Sequence, residues 1–144
     1  MALEIKHREH DGIEILDLTG RLTMGEEDIV FRETLQRLTE QGQRKIVLIC
    51  KQLEELDSVG TGTLIWVHQT LEKLGGSLAL AGVKVEHLDL FVVLKLEAFF
   101  AVFDTENDAV NSFFPERQVE RVDVLKLVRT LMKPEKTKVG EIQK

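Results

Sequence analysis

The chain has 144 residues, 43% of them hydrophobic and 31% charged, which is the size and composition of one globular domain. Residues 1–114 hold eleven basic and twenty acidic side chains, a net charge of −9, whereas residues 115–144 hold eight and five, a net charge of +3. The acidic body argues against nucleic-acid binding. No apolar run approaches the ~18 residues of a membrane-spanning helix and no secretory signal is evident, so we expect a cytoplasmic protein without a membrane partner.

The first predicted elements are a β-hairpin and a helix. Residues 3–7 alternate between apolar and polar, residues 11–12 (Asp-Gly) supply a turn, and residues 13–18 alternate again before an end at residues 19–20. A helix is predicted over residues 26–41, because apolar residues recur at helical spacing, acidic residues crowd the first turn and a glycine follows at the C-cap.

Strands and helices then alternate along the rest of the body. The apolar run that ends at Cys50 is typical of a strand covered on both faces. The later predicted elements are a helix that begins near residue 58 and stops at residues 75–76, a strand over 77–82, a helix over 85–96, a strand over 99–103 and a helix from 104 to Pro115. The order β-β-α-β-α-β-α-β-α predicts an α/β fold, a mixed sheet flanked by helices.

Residues 116–144 are predicted to extend a domain that spans residues 1–115, and we expect residues 3–114 to fold alone. A helix is predicted over 119–132, docked on the body or on a second copy through an apolar stripe of Val122, Leu125, Val128 and Met132. The sequence after Pro134 is polar and rich in lysine, which predicts a disordered tail over 134–144.

A short motif, Asp57-Ser58-Val59-Gly60-Thr61-Gly62, lies between the buried strand and the second helix. Ser58 at such a junction can be the N-cap, and Gly60 and Gly62 lack a Cβ, so another surface can approach closely. The motif has neither the lysine of a phosphate-binding loop nor the spacing of a nucleophile elbow. Two interpretations remain open: a plain helix cap with packing glycines, or a contact surface.

The stretch over residues 56–64 resembles the signature of the STAS domain, which is found in bacterial anti-sigma factor antagonists. Other segments resemble the same family in unbroken order, and the resemblance covers residues 3–114: these segments are residues 18–22, 45–48, 75–80 and 96–103. It implies a partner switch in which a serine kinase, itself the anti-sigma factor, binds the unphosphorylated domain and releases the sigma factor. Phosphorylation ends that binding, and a phosphatase restores it.

By position, the resemblance implies that Ser58 is the phosphorylated residue. The implied partner-binding residues are Asp57, Val59, Gly60, Thr61, Gly62, Thr23 and Met24. Many relatives have a second hydroxyl residue where this chain has Val59, and an aspartate where it has Thr23. The implied role is regulatory, without a catalytic residue or cofactor, in a monomer or a homodimer.

Two alternatives remain: a non-phosphorylated scaffold or ligand-sensing subunit of a larger regulatory assembly, and an enzyme with Ser58 as nucleophile. A pocket lined by Ser58, a histidine and a carboxylate would favour the enzyme. The four histidines do not cluster with Cys50 or carboxylates at metal-ligand spacings, so no metal site is expected. Cys50 is interpreted as an inert core residue, His68 as a packing residue, and Trp66 as a core residue or a partner anchor.

Overall fold

The computed structural model describes residues 2–132, which build a five-stranded mixed sheet in the order β1-β2-β3-β4-β5. Strand β1 pairs antiparallel with β2, and every later neighbouring pair is parallel. The strands are β1 Glu4–His10, β2 Ile13–Leu22, β3 Lys45–Leu56, β4 Ser77–Ala81 and β5 Ala101–Phe103. The helices are α1 Glu26–Glu40, α2 Ser58–Lys73, α3 Val85–Val93, α4 Glu106–Asn111 and α5 over residues 124–132. The predicted α/β class and element order are confirmed.

The sheet buries apolar side chains on both of its faces, because successive residues of a strand point to opposite sides. Leu16 and Leu48 lie in the larger core, which includes buried side chains of α1, α2, α3 and α5. Ile15 and Val47, their neighbours along β2 and β3, lie in the smaller core with Ala109 of α4. The near-continuous apolar run at the start of β3 is therefore explained by burial on two sides.

Strands β2 and β3 extend farther than the sequence predicted. Strand β2 continues through Gly20, and the two strands pair to their ends, where Leu22 lies opposite Leu56. The register shifts on both sides of Gly20, and a Cβ there would lie 1.9 Å from the carbonyl oxygen of Ala2. Glycine is therefore required at this position by the close approach of the first residues, and it does not end the strand.

Elements α3, β5 and α4 are shorter than predicted. Helix α3 ends at Val93, because Lys95 takes a left-handed conformation (φ 61°) and the N–H of Leu96 turns back to the carbonyl of Phe91. The following residues form turns up to Ala101, so only three residues remain for β5. Helix α4 ends at Asn111, before Pro115, and its N-cap is Thr105.

The C-terminal extension first runs along the outer edge of β5. Arg121 pairs with Phe103, the N–H of Val122 donates to the carbonyl of Val102 over 2.8 Å, and the Arg121 guanidinium donates to the carbonyl of Phe100. The helix predicted over 119–132 begins only at residue 124, because the preceding segment forms these edge contacts instead.

Helix α5 rests on the larger core through Val124 and Val128, which are both buried. Of the predicted stripe, Val122 and Met132 are half-buried against this core, and Leu125 is half-buried. The helix is thus docked on the body. Val124, which is not part of the predicted stripe, also packs in the core. The tail predicted over 134–144 lies outside the described residues.

Three observations concern membrane-spanning helices, the single cysteine and metal ligands in the described residues. Among the described residues, no helix combines the length and apolar character that crossing a membrane requires. Burial raises the pKa of Cys50 to about 12, which keeps the thiol protonated and unreactive, as expected of a core residue. Within residues 2–132, no three His, Cys, Asp or Glu side chains stand close enough together to hold a metal ion.

Candidate functional site

The candidate site lies where β2 and β3 end side by side. The carboxylate of Asp57 joins the two strand ends, because one oxygen accepts the N–H of Met24 over 2.9 Å. Its other oxygen accepts the N–H of Gly60 over 2.8 Å, in the first turn of α2. One side chain therefore fixes the loop before α1 against the start of α2.

Asp57 is the N-cap of α2, so the interpretation of Ser58 as the helix cap is wrong. The backbone of Asp57 is extended and its side chain accepts the first-turn N–H, whereas Ser58 is already the first helical residue. The Ser58 side chain is exposed, and its hydroxyl has no hydrogen bond to any residue in the described part of the chain. This hydroxyl is free to meet another molecule.

The two glycines of the motif have different roles. A Cβ on Gly60 would lie 2.1 Å from the carbonyl oxygen of Leu22, so Gly60 lets the end of β2 pass against α2. A Cβ on Gly62 would have no described atom within 4 Å, so its surface is open. Thr61 is buried, and its hydroxyl donates to the carbonyl of Asp57 over 2.9 Å.

The predicted partner-binding residues are therefore brought together, but they do not all reach the surface. Gly60 and Thr61 are buried and contact their own chain, so they support the site from beneath. Met24 is 73% exposed and Val59 is 37% exposed. The remaining members, Thr23, Asp57 and Gly62, are half-buried.

Helices α1 and α2 are joined beside the site by a polar contact that the sequence did not reveal. The buried hydroxyl of Thr63 donates to the carboxylate of Asp28, which also pairs with Arg32 at 3.3 Å. The Arg32 guanidinium lies 5.2 Å from the ring centre of Trp66, which packs half-buried against the core. The sequence indicates only that Asp28 is one of the acidic residues in the first turn of α1, because its partner Thr63 lies far away in sequence.

An open cleft of about 530 Å³ adjoins the site on the side of α3. Its lining combines carboxylates, apolar side chains and one histidine: Thr23, Glu55, Leu56, Asp57, Glu86, His87, Asp89, Leu90 and Val93. His87 is buried, its Nδ1 has no hydrogen-bond partner among the described residues, and burial lowers its pKa. The sequence does not predict this cleft, because its pattern indicates only that α3 is an apolar helix.

The structure does not bring together the groups of a serine nucleophile. Ser58 is not among the residues that line the cleft, and none of the described histidines hydrogen-bonds to its hydroxyl. His68 stacks on Phe99 with ring centres 4.7 Å apart, and its Nε2 lies 3.4 Å from the carboxylate of Glu72. His68 is a packing residue, as predicted.

We expect Asp57→Ala to lower the free energy of unfolding by about 1–2 kcal/mol, because it removes a helix cap and a loop contact. Urea unfolding measures the loss, and amide exchange should accelerate at Met24 and Gly60. Asp104→Ala is the matched control, because Asp104 is exposed and has no recorded side-chain hydrogen bond to a described residue. Equal losses in both variants would contradict the role assigned to Asp57.

Comparison with known proteins connects this geometry to a family. The family model of the STAS domain matches residues 4–109. Over 110 residues the chain is 26% identical to the anti-sigma F factor antagonist of Paenibacillus polymyxa, covering 76% of this chain and 94% of that protein.

Similar folds occur among solved structures. A Thermotoga maritima protein described as a candidate anti-sigma factor antagonist has a TM-score of 0.70 at 20% identity, covering 75% of this chain and 92% of that one. The Bacillus cell fate determinant SpoIIAA in its phosphorylated form has a TM-score of 0.60 at 19% identity, covering 78% of this chain and 99% of that one. These likenesses show the fold, and α5 lies beyond the region that the family model matches.

Proposed function

Because this chain belongs to the STAS domain family and is distantly related to anti-sigma factor antagonists, we propose that it is a cytoplasmic regulator that acts by switching partners. In its unphosphorylated form it binds an anti-sigma factor that is also a serine kinase. Phosphorylation of Ser58 ends the binding, and a phosphatase restores it. The observation that carries the proposal is the exposed hydroxyl of Ser58, directly after the Asp57 cap, which has no hydrogen bond to any residue of the range 2–132.

A phosphate on Ser58 is compatible with the fold. It adds about −1.5 to −2 charges near pH 7 at the first residue of α2. The N-terminus of a helix stabilises negative charge, because its first N–H groups have no partner within the helix. The cap itself is made by Asp57, so phosphorylation of Ser58 breaks no hydrogen bond to a residue that the structure describes.

The same phosphate is incompatible with a partner that packs on the surrounding surface. Val59 follows Ser58 in the chain and the N–H of Met24 binds Asp57; both have exposed apolar side chains, and a partner that covers them excludes water. A dianion buried in that contact, next to the carboxylate of Asp57, would lose its hydration without gaining a counter-charge. Phosphorylation is therefore expected to end binding and to leave the fold intact.

The proposal is tested by affinity capture from the native lysate with wild type, Ser58→Ala and Ser58→Asp, followed by mass spectrometry. Ser58→Ala should retain the partner, and Ser58→Asp should weaken binding about tenfold or more, the scale of a central interface residue. Ser77→Asp is the matched control, since Ser77 is also exposed but begins β4. Incubation with lysate and ATP should add phosphate to wild type and Ser77→Ala but not to Ser58→Ala.

Recovery of the same partners by wild type, Ser58→Ala and Ser58→Asp in equal amounts would contradict the switch. The alternative, a non-phosphorylated scaffold or sensing subunit of a larger assembly, would then take its place. The fold would be the same in both cases, because the alternative changes only what the exposed end of α2 does.

A further inference from the structure

Met24 has the most exposed large hydrophobic side chain of residues 2–132. The side chain is 73% exposed and belongs to the loop between β2 and α1. Its backbone is held in place, because its N–H donates to the Asp57 carboxylate over 2.9 Å and Asp57 directly precedes Ser58. The thioether of Met24 is therefore in solvent, on a backbone that is fixed to the candidate site.

Neither hydrophobic core includes this side chain. Met24 is not among the side chains of the described range that build or contact the larger or the smaller core. Met132, the other methionine of that range, is half-buried against the larger core. Methionine is enriched in protein–protein interfaces, where its flexible thioether adapts to the opposing surface. Met24 therefore suits contact with a partner and not the stability of the fold.

A thioether in solvent is open to oxidation by a peroxide. With hydrogen peroxide, a lone pair of the Met24 sulfur forms a bond to one oxygen and the O–O bond breaks. The proton of the transferred oxygen goes to the other oxygen, which leaves as water. The sulfur loses two electrons and the peroxide gains them, so the step needs no other group of the protein. The product is a polar sulfoxide, which methionine sulfoxide reductases return to the thioether.

We propose that Met24 is an oxidation site and that its sulfoxide ends the binding of the partner. The inference rests on the proposed function for the existence of that partner, whereas the selective oxidation of Met24 does not. A partner that covers Met24 removes the sulfoxide oxygen from water, and a polar group buried without a hydrogen bond is costly. Oxidation leaves the fold intact, because neither core of the described residues includes Met24.

The first measurement is the order of oxidation in the full-length chain. Hydrogen peroxide is added in steps, and mass spectrometry of proteolytic peptides follows the added oxygen at each methionine. Met24 should reach half conversion at a dose about fivefold lower than Met132, because Met24 is exposed and Met132 is half-buried. The chain oxidised only at Met24 should have the melting temperature of the untreated chain.

The second measurement compares bound and free chain within one sample. Wild type at half conversion of Met24 is mixed with native lysate, and size-exclusion chromatography separates the chain in complex from the free chain. The Met24 sulfoxide should be about tenfold less frequent in the complex, the effect of one polar group buried without a partner. Treatment with methionine sulfoxide reductases should return the free chain to the complex.

Two leucine variants assign the effect to one sulfur. Leucine has nearly the volume of methionine and has no sulfur to oxidise. Met132→Leu should lose binding on oxidation as wild type does, whereas Met24→Leu, compared with its own untreated sample, should keep it. Met24→Gln, which places a polar group at this position, should bind about tenfold more weakly than Met24→Leu without any oxidant.

Three results would overturn the inference. The first is an equal frequency of the Met24 sulfoxide in bound and free wild type. The second is an equal loss of binding by oxidised Met24→Leu and oxidised Met132→Leu. The third is a lower melting temperature of the chain oxidised only at Met24, because the loss of binding would then come from unfolding.

The oxidation site and the Ser58 switch can fail separately. Oxidised Ser58→Ala should release its partner as oxidised wild type does, because the hydroxyl takes no part in the oxidation. If oxidised wild type keeps the partner but Ser58→Asp releases it, the oxidation inference falls and the switch stands. If all Ser58 variants capture the same partners but oxidation of Met24 releases them, the switch falls and the oxidation site stands.

Discussion

Gly60→Ala is expected to lower the free energy of unfolding by about 3 kcal/mol, the upper range for forcing an extra methyl group into a packed site. Its Cβ would lie 2.1 Å from the carbonyl oxygen of Leu22 and 3.0 Å from the Cδ1 atom of Leu56. The carbonyl cannot simply move away, because Leu22 is paired with Leu56 at the end of the sheet. A shift of α2 instead would weaken the bond from the Gly60 N–H to Asp57.

Gly62→Ala is the matched control, in the same helix and only two residues further along. A Cβ at this position would meet no described atom within 4 Å, so nothing in the fold resists it. Alanine is favoured over glycine inside a helix by about 0.5–1 kcal/mol, so this variant should be as stable as wild type or more stable. Urea unfolding followed by circular dichroism compares the two, and equal losses would contradict the contact assigned to Gly60.

The Gly62 variant also separates fold from function. If a partner lies against α2 at the open surface of Gly62, the added methyl group should weaken capture of that partner although the fold is no less stable. A stability gain together with a binding loss cannot come from partial unfolding. If the variant still binds the partner, Gly62 is not part of the partner surface and serves only the geometry of the helix.

The order of elements was accessible from the sequence because it depends on local patterns. The alternation on both sides of residues 11–12 predicts the hairpin, and the apolar run up to Cys50 predicts a doubly covered strand. The ends of β2 and β3 were not accessible in this way. Glycine and charged residues are typical of strand ends, so Gly20 and the charged residues of β3 suggest that the strands stop there. Only the pairing of β2 with β3 shows that both strands continue.

The site was located by its motif, but its internal roles needed the structure. Aspartate and serine are about equally good N-caps, so local chemistry does not choose between Asp57 and Ser58. Asp57 is the cap because β3 ends directly before it and because its carboxylate also accepts the N–H of Met24, a residue far away in sequence. Gly60 and Gly62 likewise differ only in whether β2 passes beside them. The cleft brings residues near 55 and 86 together, which no local pattern encodes.

The C-terminal extension supports the domain although it lies beyond the region that the family model matches. Val128 is buried in the larger core, and Leu131, one turn later on α5, is 56% exposed. We expect Val128→Ala to lower the free energy of unfolding by about 2 kcal/mol, because it removes buried methyl groups and leaves a cavity. Leu131→Ala should change it by less than about 0.5 kcal/mol, as surface substitutions usually do. Equal effects would contradict the docking of α5.

Removing the whole extension by ending the chain at Pro115 should have a larger effect than either substitution. The truncated chain loses Val124 and Val128 from the core and the bond from the Val122 N–H that covers the edge of β5. We propose that residues 1–115 still fold, because all five strands and α1 to α4 precede the cut, but with a melting temperature lower by about 10 °C. The uncovered β5 edge should also promote self-association, which light scattering at increasing concentration measures. An unchanged melting temperature would show that the extension only rests on the surface, whereas a non-cooperative transition would show that residue 115 is not a domain boundary.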